Sequence, residues 1–206
     1  VINPRLDEEP AKPKTPEVAL PGAEEKELFE ARTILVSAPV NPKLAHGINT
    51  KLLALERTGP EQPITIFINC PGGEVHSGFS IFDTIRFISS PVITVVSGLA
   101  ASMGSIIPLA APPERRFAFP NSKFLVHQPS IHGGLGGSVS DIEIHAKDLI
   151  DTKNRIIQLY CEECGRTEQE VRRALDRDTW MSPEQAKEFG LIKKIITKRS
   201  ELPRGV

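Results

Sequence analysis

Short β-rich apolar runs alternate along this chain with segments of helical period, and that alternation limits the possible folds more than any other feature. Ile64-Thr65-Ile66-Phe67-Ile68 reads as a buried strand. Cys70-Pro71-Gly72-Gly73 breaks it, and Phe79, Phe82, Ile85 and Ile88 then share one helical face. Pro91 to Val96 is the next strand. Strand, helix and neighbouring strand in this order make a βαβ unit, so the spacing predicts an α/β fold around a sheet of repeated βαβ units.

The flanking segments extend the pattern. Asn41-Pro42 opens a helix, with Asn as N-cap and Pro at the first helical position, and Leu44, Ile48, Leu52 and Leu55 line one face before Gly59. The apolar, small-residue run from Ala101 to Ala111 predicts a buried helix, and Phe124-Leu125-Val126 a third strand entered through Pro120-Asn121. The glycine-rich stretch Gly133-Gly134-Leu135-Gly136-Gly137 leads into a long helix on which Ile142, Ala146, Leu149, Ile156 and Tyr160 recur. Thr167 with Glu170, and Ser182 with Gln185, have the spacing of capping boxes, and Gly190 stops the second helix. A last strand is expected within Ile192 to Ile196.

The ends differ from this body. Val1 to about Lys26 is punctuated by Pro4, Pro10, Pro13, Pro16 and Pro21 among Glu and Lys, and has little apolar surface to bury. The expected division is an N-terminal arm over 1–26, one domain over 27–198 and a frayed tail over 199–206. The net charge of −1 gives no global field for nucleic acid or an anionic membrane. No apolar run reaches the ~18 residues of a membrane span, and no secretory pattern opens the sequence. Three cysteines are too few for a disulfide framework and suit a cytoplasmic setting.

Three places carry candidate chemistry. Ser102, in Ala100-Ala101-Ser102-Met103-Gly104, follows a strand and opens a helix, where small neighbours and helix-start N–H groups favour a nucleophile; an N-cap is the bland alternative, and Ser97 and Ser105 compete. His127 ends the strand Phe124-Leu125-Val126, a position for a general base or for a half-buried histidine bonded to backbone. A triad also needs a carboxylate, which Asp176-Arg177-Asp178 could supply, although acidic loops between helices are usually just solvated. Cys161-Glu162-Glu163-Cys164 ends a helix without a second ligand pair, so neither metal nor redox function is expected there. The glycine-rich stretch lacks the Lys-Ser/Thr of a phosphate loop.

Taken together, several blocks resemble the ClpP family of self-compartmentalised serine peptidases. These are Asn69-Cys70-Pro71-Gly72-Gly73, Gly98-Leu99-Ala100-Ala101-Ser102-Met103-Gly104, Phe124-Leu125-Val126-His127-Gln128-Pro129, Asp141-Ile142-Glu143-Ile144-His145-Ala146, and Arg177-Asp178 before Met181-Ser182. They follow the family's order and spacing from about Arg32 to Ile196. The resemblance implies a ClpP/crotonase-like fold with a strand-helix handle over 128–160. It implies Ser102 as nucleophile, His127 as general base and Asp178 as orienting acid. The Gly73 and Met103 N–H groups would form the oxyanion hole, and a peptide would lie extended between Gly72, Glu74 and Val75 on one side and Gln128 and Pro129 on the other. It further implies stacked heptameric rings, unfolded protein substrates, and an AAA+ Clp unfoldase that uses the ATP, so that this chain needs no cofactor.

Two departures stand out. Cys70 occupies a position where the family commonly has serine, and the Pro-rich arm does not match the family's axial pore loops. A non-catalytic ClpP-like ring subunit is the main alternative, but such a chain should lack a triad residue. An acyl-CoA hydratase or isomerase of the crotonase type is the other; those enzymes usually bring carboxylates to the reacting centre, whereas here the groups are Ser and His.

Overall fold

A parallel sheet organises the computed structural model, which describes residues 22–130 and 137–203. Its strands, in chain order, are β1 (Thr33–Val36), β2 (Ile64–Cys70), β3 (Val92–Ala101), β4 (Arg116–Ala118), β5 (Lys123–Val126), β6 (Thr179–Met181) and β7 (Lys194–Ile195). Strands β1, β2, β3, β4 and β7 lie side by side in that order, all parallel. β3 is the longest and it forks. Its first half pairs with β4 through Thr94–Val96, and its second half pairs with β5 through Leu99–Ala101. β6 runs antiparallel on the far side of β5.

The helices follow from local sequence. α1 is Ala23–Glu30 and α2 is Pro42–Thr58. The Asn41 side chain accepts from Leu44 N–H at 2.9 Å, Pro42 sits at the first helical position, and Gly59 ends α2. Its buried Ile48, Leu52 and Leu55 pack on the sheet, each worth roughly 1.5–3 kcal/mol of transfer free energy. α3 (Val75–Phe87) returns over the sheet through buried Phe79, Phe82 and Ile85. α4 is one turn, Met103–Ile106, continued by a 3-10 turn at Ile107–Ala110. α5 (Val139–Cys164) starts on a Ser138–Asp141 capping box and ends at left-handed Gly165. α6 (Glu168–Leu175) and α7 (Pro183–Phe189) start on the Thr167–Glu170 and Ser182–Gln185 boxes, and Gly190 closes α7 in the left-handed region.

Only the C-terminal end of α5 is buried in the body, through Ile156, Ile157 and Tyr160. There the fully buried Arg116 guanidinium donates to the carbonyls of Leu109, Ala111 and Glu163 and to the Glu163 carboxylate, which also accepts from Arg86. A buried cation needs this many partners to offset its lost hydration.

Several readings change. The run expected as one helix, Ala101 to Ala111, divides: Ala101 ends β3, and helix begins only at Met103. Pairing with β2 and β5 carries the strand past Val96 to Ala101, and Pro108 lacks the N–H that a longer helix would use. The final strand covers only Lys194–Ile195. α1 begins at Ala23, so the span read as an arm ends in helix; its residues 1–21 lie outside those described, as do residues 131–136 of the glycine-rich segment and any strand of the handle. In the expected tail, Arg199–Glu201 form a 3-10 turn, with the Glu201 carboxylate bonded to Lys194 Nζ at 2.8 Å and to the N–H groups of Thr197 and Lys198. Residues 204–206 are not described.

Candidate active site

The fork in the sheet creates the site. Ser102 is the residue between β3 and α4, and its backbone is strained, with φ 54° and ψ −126°. Among the described residues, Arg32 is the only other non-glycine with positive φ. Such a conformation costs on the order of 1–3 kcal/mol and persists where the surroundings over-determine it. Here Ser102 N–H donates to Leu125 C=O at 2.9 Å, and Ser102 C=O accepts from Ser105 N–H at 2.9 Å. The Ser102 side chain does not cap α4, and among the described residues its hydroxyl makes no hydrogen bond. The competing serines are occupied: Ser97 Oγ donates to Ile68 C=O at 3.3 Å, and Ser105 is buried.

β5 acts as the ruler. Its register with β3 ends at Ala101 opposite Leu125, so Ser102 is next in line. On its other edge, the register with β6 ends at Val126 opposite Thr179. One step further brings His127 opposite Asp178, and there His127 Nδ1 lies 3.4 Å from Asp178 Oδ1. The imidazole is 26% exposed and the carboxylate 66% exposed. One strand thus carries His127 at its end and holds on its two sides the strands next to Ser102 and Asp178. Ser102 Oγ and His127 share no hydrogen bond here, a looseness common before substrate binds.

Gly72 and Gly73 form the opposite wall. Both have positive φ, at 92° and 142°. A Cβ on Gly73 would meet Val40 O at 2.3 Å, and one on Gly72 would meet Ser102 Cβ at 2.6 Å. The turn bridges to Val40: Val40 N–H donates to Gly72 C=O at 2.7 Å, and Glu74 N–H to Val40 C=O at 2.9 Å. In a trans peptide the N–H points opposite to the C=O. With Gly72 C=O held by Val40, Gly73 N–H therefore faces away from that bridge. Met103 N–H, at the first position of α4, has no intrahelical acceptor either. Cys70 supports the turn from beneath, its thiol donating to Ala38 C=O and accepting from Gly72 N–H; burial pushes the thiol pKa up.

The residues expected to hold a peptide are placed less uniformly. Glu74 is exposed, and its carboxylate accepts from Ser77 Oγ at 3.1 Å. Val75 already belongs to α3, so the extended stretch after Gly73 stops at Glu74. The Gln128 side chain is engaged elsewhere: Nε2 donates to Asp176 C=O at 3.2 Å, and Oε1 accepts from Lys153 Nζ at 2.8 Å. Its N–H donates to Leu175 C=O. Pro129 is half-buried beyond it. Gln128 therefore ties α5 to the loop that presents Asp178, a role the sequence did not signal. Cys161 and Cys164 lie on the last turn of α5, where burial pushes the Cys164 thiol up to about 12. Among the described residues, no helix is long and apolar enough to cross a membrane.

Comparisons with known proteins agree with this architecture. The family model described as Clp protease matches residues 23–199. The chain is 46% identical over 178 residues to "ATP-dependent Clp protease proteolytic subunit 1" of Chlamydia abortus, covering 86% of this chain and 93% of that one. The subunit of the same name from Chlamydia trachomatis serovar D is 47% identical over the same shares. Among solved structures, a point mutant of ClpP1 from Listeria monocytogenes superposes with a TM-score of 0.78 at 38% identity, over 85% of this chain and 96% of that one.

Proposed function

The chain belongs to the Clp protease family, whose members are serine-type peptidases, and from that premise we propose that it cleaves unfolded polypeptides and short peptides with Ser102, His127 and Asp178. The observation that carries the reading is the register of β5, which puts Ser102 next in line on one edge and His127 opposite Asp178 on the other.

His127 takes the Ser102 hydroxyl proton as Oγ attacks the peptide carbonyl carbon. Charge gathers on the carbonyl oxygen, which the N–H groups of Gly73 and Met103 receive. Both donors are fixed before the reaction, so little reorganisation is needed as the charge appears. Asp178 orients the imidazole and stabilises its cation. His127 then gives the proton to the leaving amine as the C–N bond breaks. Water, deprotonated by His127, attacks the acyl ester and frees Ser102. The substrate lies extended between Gly72-Gly73-Glu74 and Gln128-Pro129 and is bound through its backbone, because Val75 is already helical and the Gln128 side chain is already occupied. Such binding tolerates many sequences.

Assembly completes the reading. On α5, Val139, Ile142, Ile144 and Ile150 are 73%, 41%, 65% and 58% exposed. An apolar surface of this kind on a projecting helix calls for a partner. Stacked heptameric rings would cover it and enclose the sites, and an AAA+ Clp unfoldase would feed the chamber and consume the ATP. This chain then needs no cofactor, and its three free thiols suit a cytoplasmic site.

The test is hydrolysis of a short fluorogenic peptide by the ring-sized fraction, beside Ser102→Ala at the same size. Cleavage by the parent is expected to fall to background in the variant, since losing a triad nucleophile costs roughly a millionfold in kcat. Equal cleavage by both would remove Ser102 from the mechanism. No cleavage by either would favour a non-catalytic ring subunit.

A further inference from the structure

Ser105 competes for the role of nucleophile on sequence grounds but is only 1% exposed. Its hydroxyl donates to Ser102 C=O at 2.7 Å and meets Tyr160 OH at 2.8 Å. A serine hydroxyl has one proton to give. With that proton on Ser102 C=O, Tyr160 is the donor to Ser105 Oγ. Burial pushes the Tyr160 phenol pKa upward, so it stays protonated and able to donate. Tyr160 is the protein's only tyrosine, is 2% exposed, and comes from the buried end of α5, 55 residues away along the chain.

The acceptor gives this chain of hydrogen bonds its meaning. Ser102 C=O and Met103 N–H belong to one planar trans peptide and point in opposite directions. Whatever holds the carbonyl inward therefore aims the N–H outward. The Gly72–Gly73 peptide is arranged in the same way, with Val40 N–H holding its carbonyl. Serine back-bonding to a carbonyl three residues earlier is ordinary in helices. Here, however, that carbonyl belongs to the strained Ser102, and the serine is itself held by a side chain from a distant helix. The Ser105 N–H bond alone would leave the peptide free to tilt about it; the hydroxyl adds a second anchor on the same oxygen, which restricts the tilt.

We propose that Ser105 and Tyr160 are positioning residues that lock the Ser102–Met103 peptide plane, so that Met103 N–H faces the oxyanion of the tetrahedral intermediate. The proposal rests on the serine-peptidase reading of Ser102. Neither residue touches substrate. Their effect belongs to the transition state, because the ground-state carbonyl makes little demand on the donor that the oxyanion needs.

The experiment compares the assembled parent ring with Ser105→Ala, Tyr160→Phe and the double variant, each matched for ring size and thermal midpoint. Deleting an oxyanion donor costs about 10²–10³ in kcat, so mis-aiming one is expected to cost about tenfold in Ser105→Ala and about threefold in Tyr160→Phe, with KM unchanged. The double variant should be no slower than Ser105→Ala alone, because Tyr160 acts only through Ser105. The inhibition constant of a peptide boronate, which forms a tetrahedral adduct, should rise by the factor that kcat/KM falls, while affinity for a product peptide stays the same. A loss of packing alone would not separate those two ligands. Tyr160→Phe keeps the ring's shape and decides the question if Ser105→Ala does not assemble. Rates within about twofold of the parent in Tyr160→Phe and any assembled Ser105→Ala would overturn the proposal, as would a raised KM at constant kcat, or singles whose losses multiply in the double variant. In those cases Ser102-dependent cleavage by the parent would leave the peptidase reading standing. If parent cleavage did not depend on Ser102, both would fall.

Discussion

The two halves of the site are built differently. On the nucleophile side, Ser102, the Gly72–Gly73 turn and the start of α4 are held by backbone bonds from Leu125, Val40 and Ser105, and Met103 and Ser105 are buried. On the acid–base side, His127 and Asp178 meet at 3.4 Å at the edge of the sheet. Asp178 stands in solvent before a three-residue strand, and its loop is tied down at Asp176 C=O by Gln128, whose side chain Lys153 holds in turn. The proposed nucleophile and oxyanion donors are thus held by backbone bonds within the fold. The alignment of His127 with Asp178 depends on short edge elements and on where α5 lies. α5 touches both halves, through Lys153, which holds the Gln128 side chain beside the Asp178 loop, and through Tyr160 at its buried end, which meets Ser105.

Asp178→Asn tests the looser half and carries the largest expected effect. An amide in place of the carboxylate holds imidazole in the wrong tautomer and gives its cation no countercharge, and in serine triads this change lowers kcat about 10⁴-fold. The same loss is expected here, compared at matched ring size. A loss under about tenfold, read from peptide hydrolysis, would make Asp178 a bystander and leave the fixed half to do most of the catalysis.

Gly73→Ala probes the rigid half. The added Cβ would fall 2.3 Å from Val40 O, at a φ of 142° that alanine avoids. The turn must give, taking one oxyanion donor with it, so kcat should fall by about 10²–10³. Phosphonate labelling of Ser102 should slow in step, because that reaction also passes through a charged tetrahedral oxygen. Unchanged labelling beside lost peptide hydrolysis would mean that Gly73 serves substrate passage and not the oxyanion.

The same division governs what could be read in advance. Local physics was legible: the Asn41, Thr167 and Ser182 caps, the Gly59 and Gly190 stops, and the buried strand β2 all depend on residues close in sequence. The blocks around Ser102, His127 and Asp178 could be picked out, but only as candidates, because what joins them is register between β3, β5 and β6. A one-step slip on either edge of β5 would part His127 from Asp178, or Ser102 from both, without altering any local pattern. β4 was missed because three residues led by an arginine look nothing like a strand. Buried Arg116 finds its partners only in the folded chain, at the Leu109 and Ala111 carbonyls and at Glu163 of α5. Ala101 to Ala111 was misread for a related reason: small apolar residues suit a buried strand end as well as a buried helix, and pairing with β5 decides between them. Ser105 and Tyr160 meet only in the folded chain, and neither side of that contact has a sequence signal.

Gln128→Ala gives the smallest effect and sharpens the contrast most finely. The substitution removes the side-chain bonds to Asp176 C=O and Lys153 Nζ but keeps the Gln128 N–H bond to Leu175 C=O. The bond to Asp176 C=O is worth about 1 kcal/mol and the one from the Lys153 ammonium about 1.5–3 kcal/mol, part of which water restores at this half-exposed position. Asp178 should then sample a wider range of positions against His127, lowering kcat by about three- to tenfold at constant KM. Steady-state kinetics of the assembled ring separate the possible roles of this residue. A fall in kcat alone assigns Gln128 to the acid's support. A rise in KM alone returns it to the substrate, as first expected from the sequence, and would mean that its bonds to α5 and to the Asp176 loop give way when peptide binds. A loss as deep as that of Gly73→Ala would reverse the comparison, making the exposed half as dependent on a fixed geometry as the buried one.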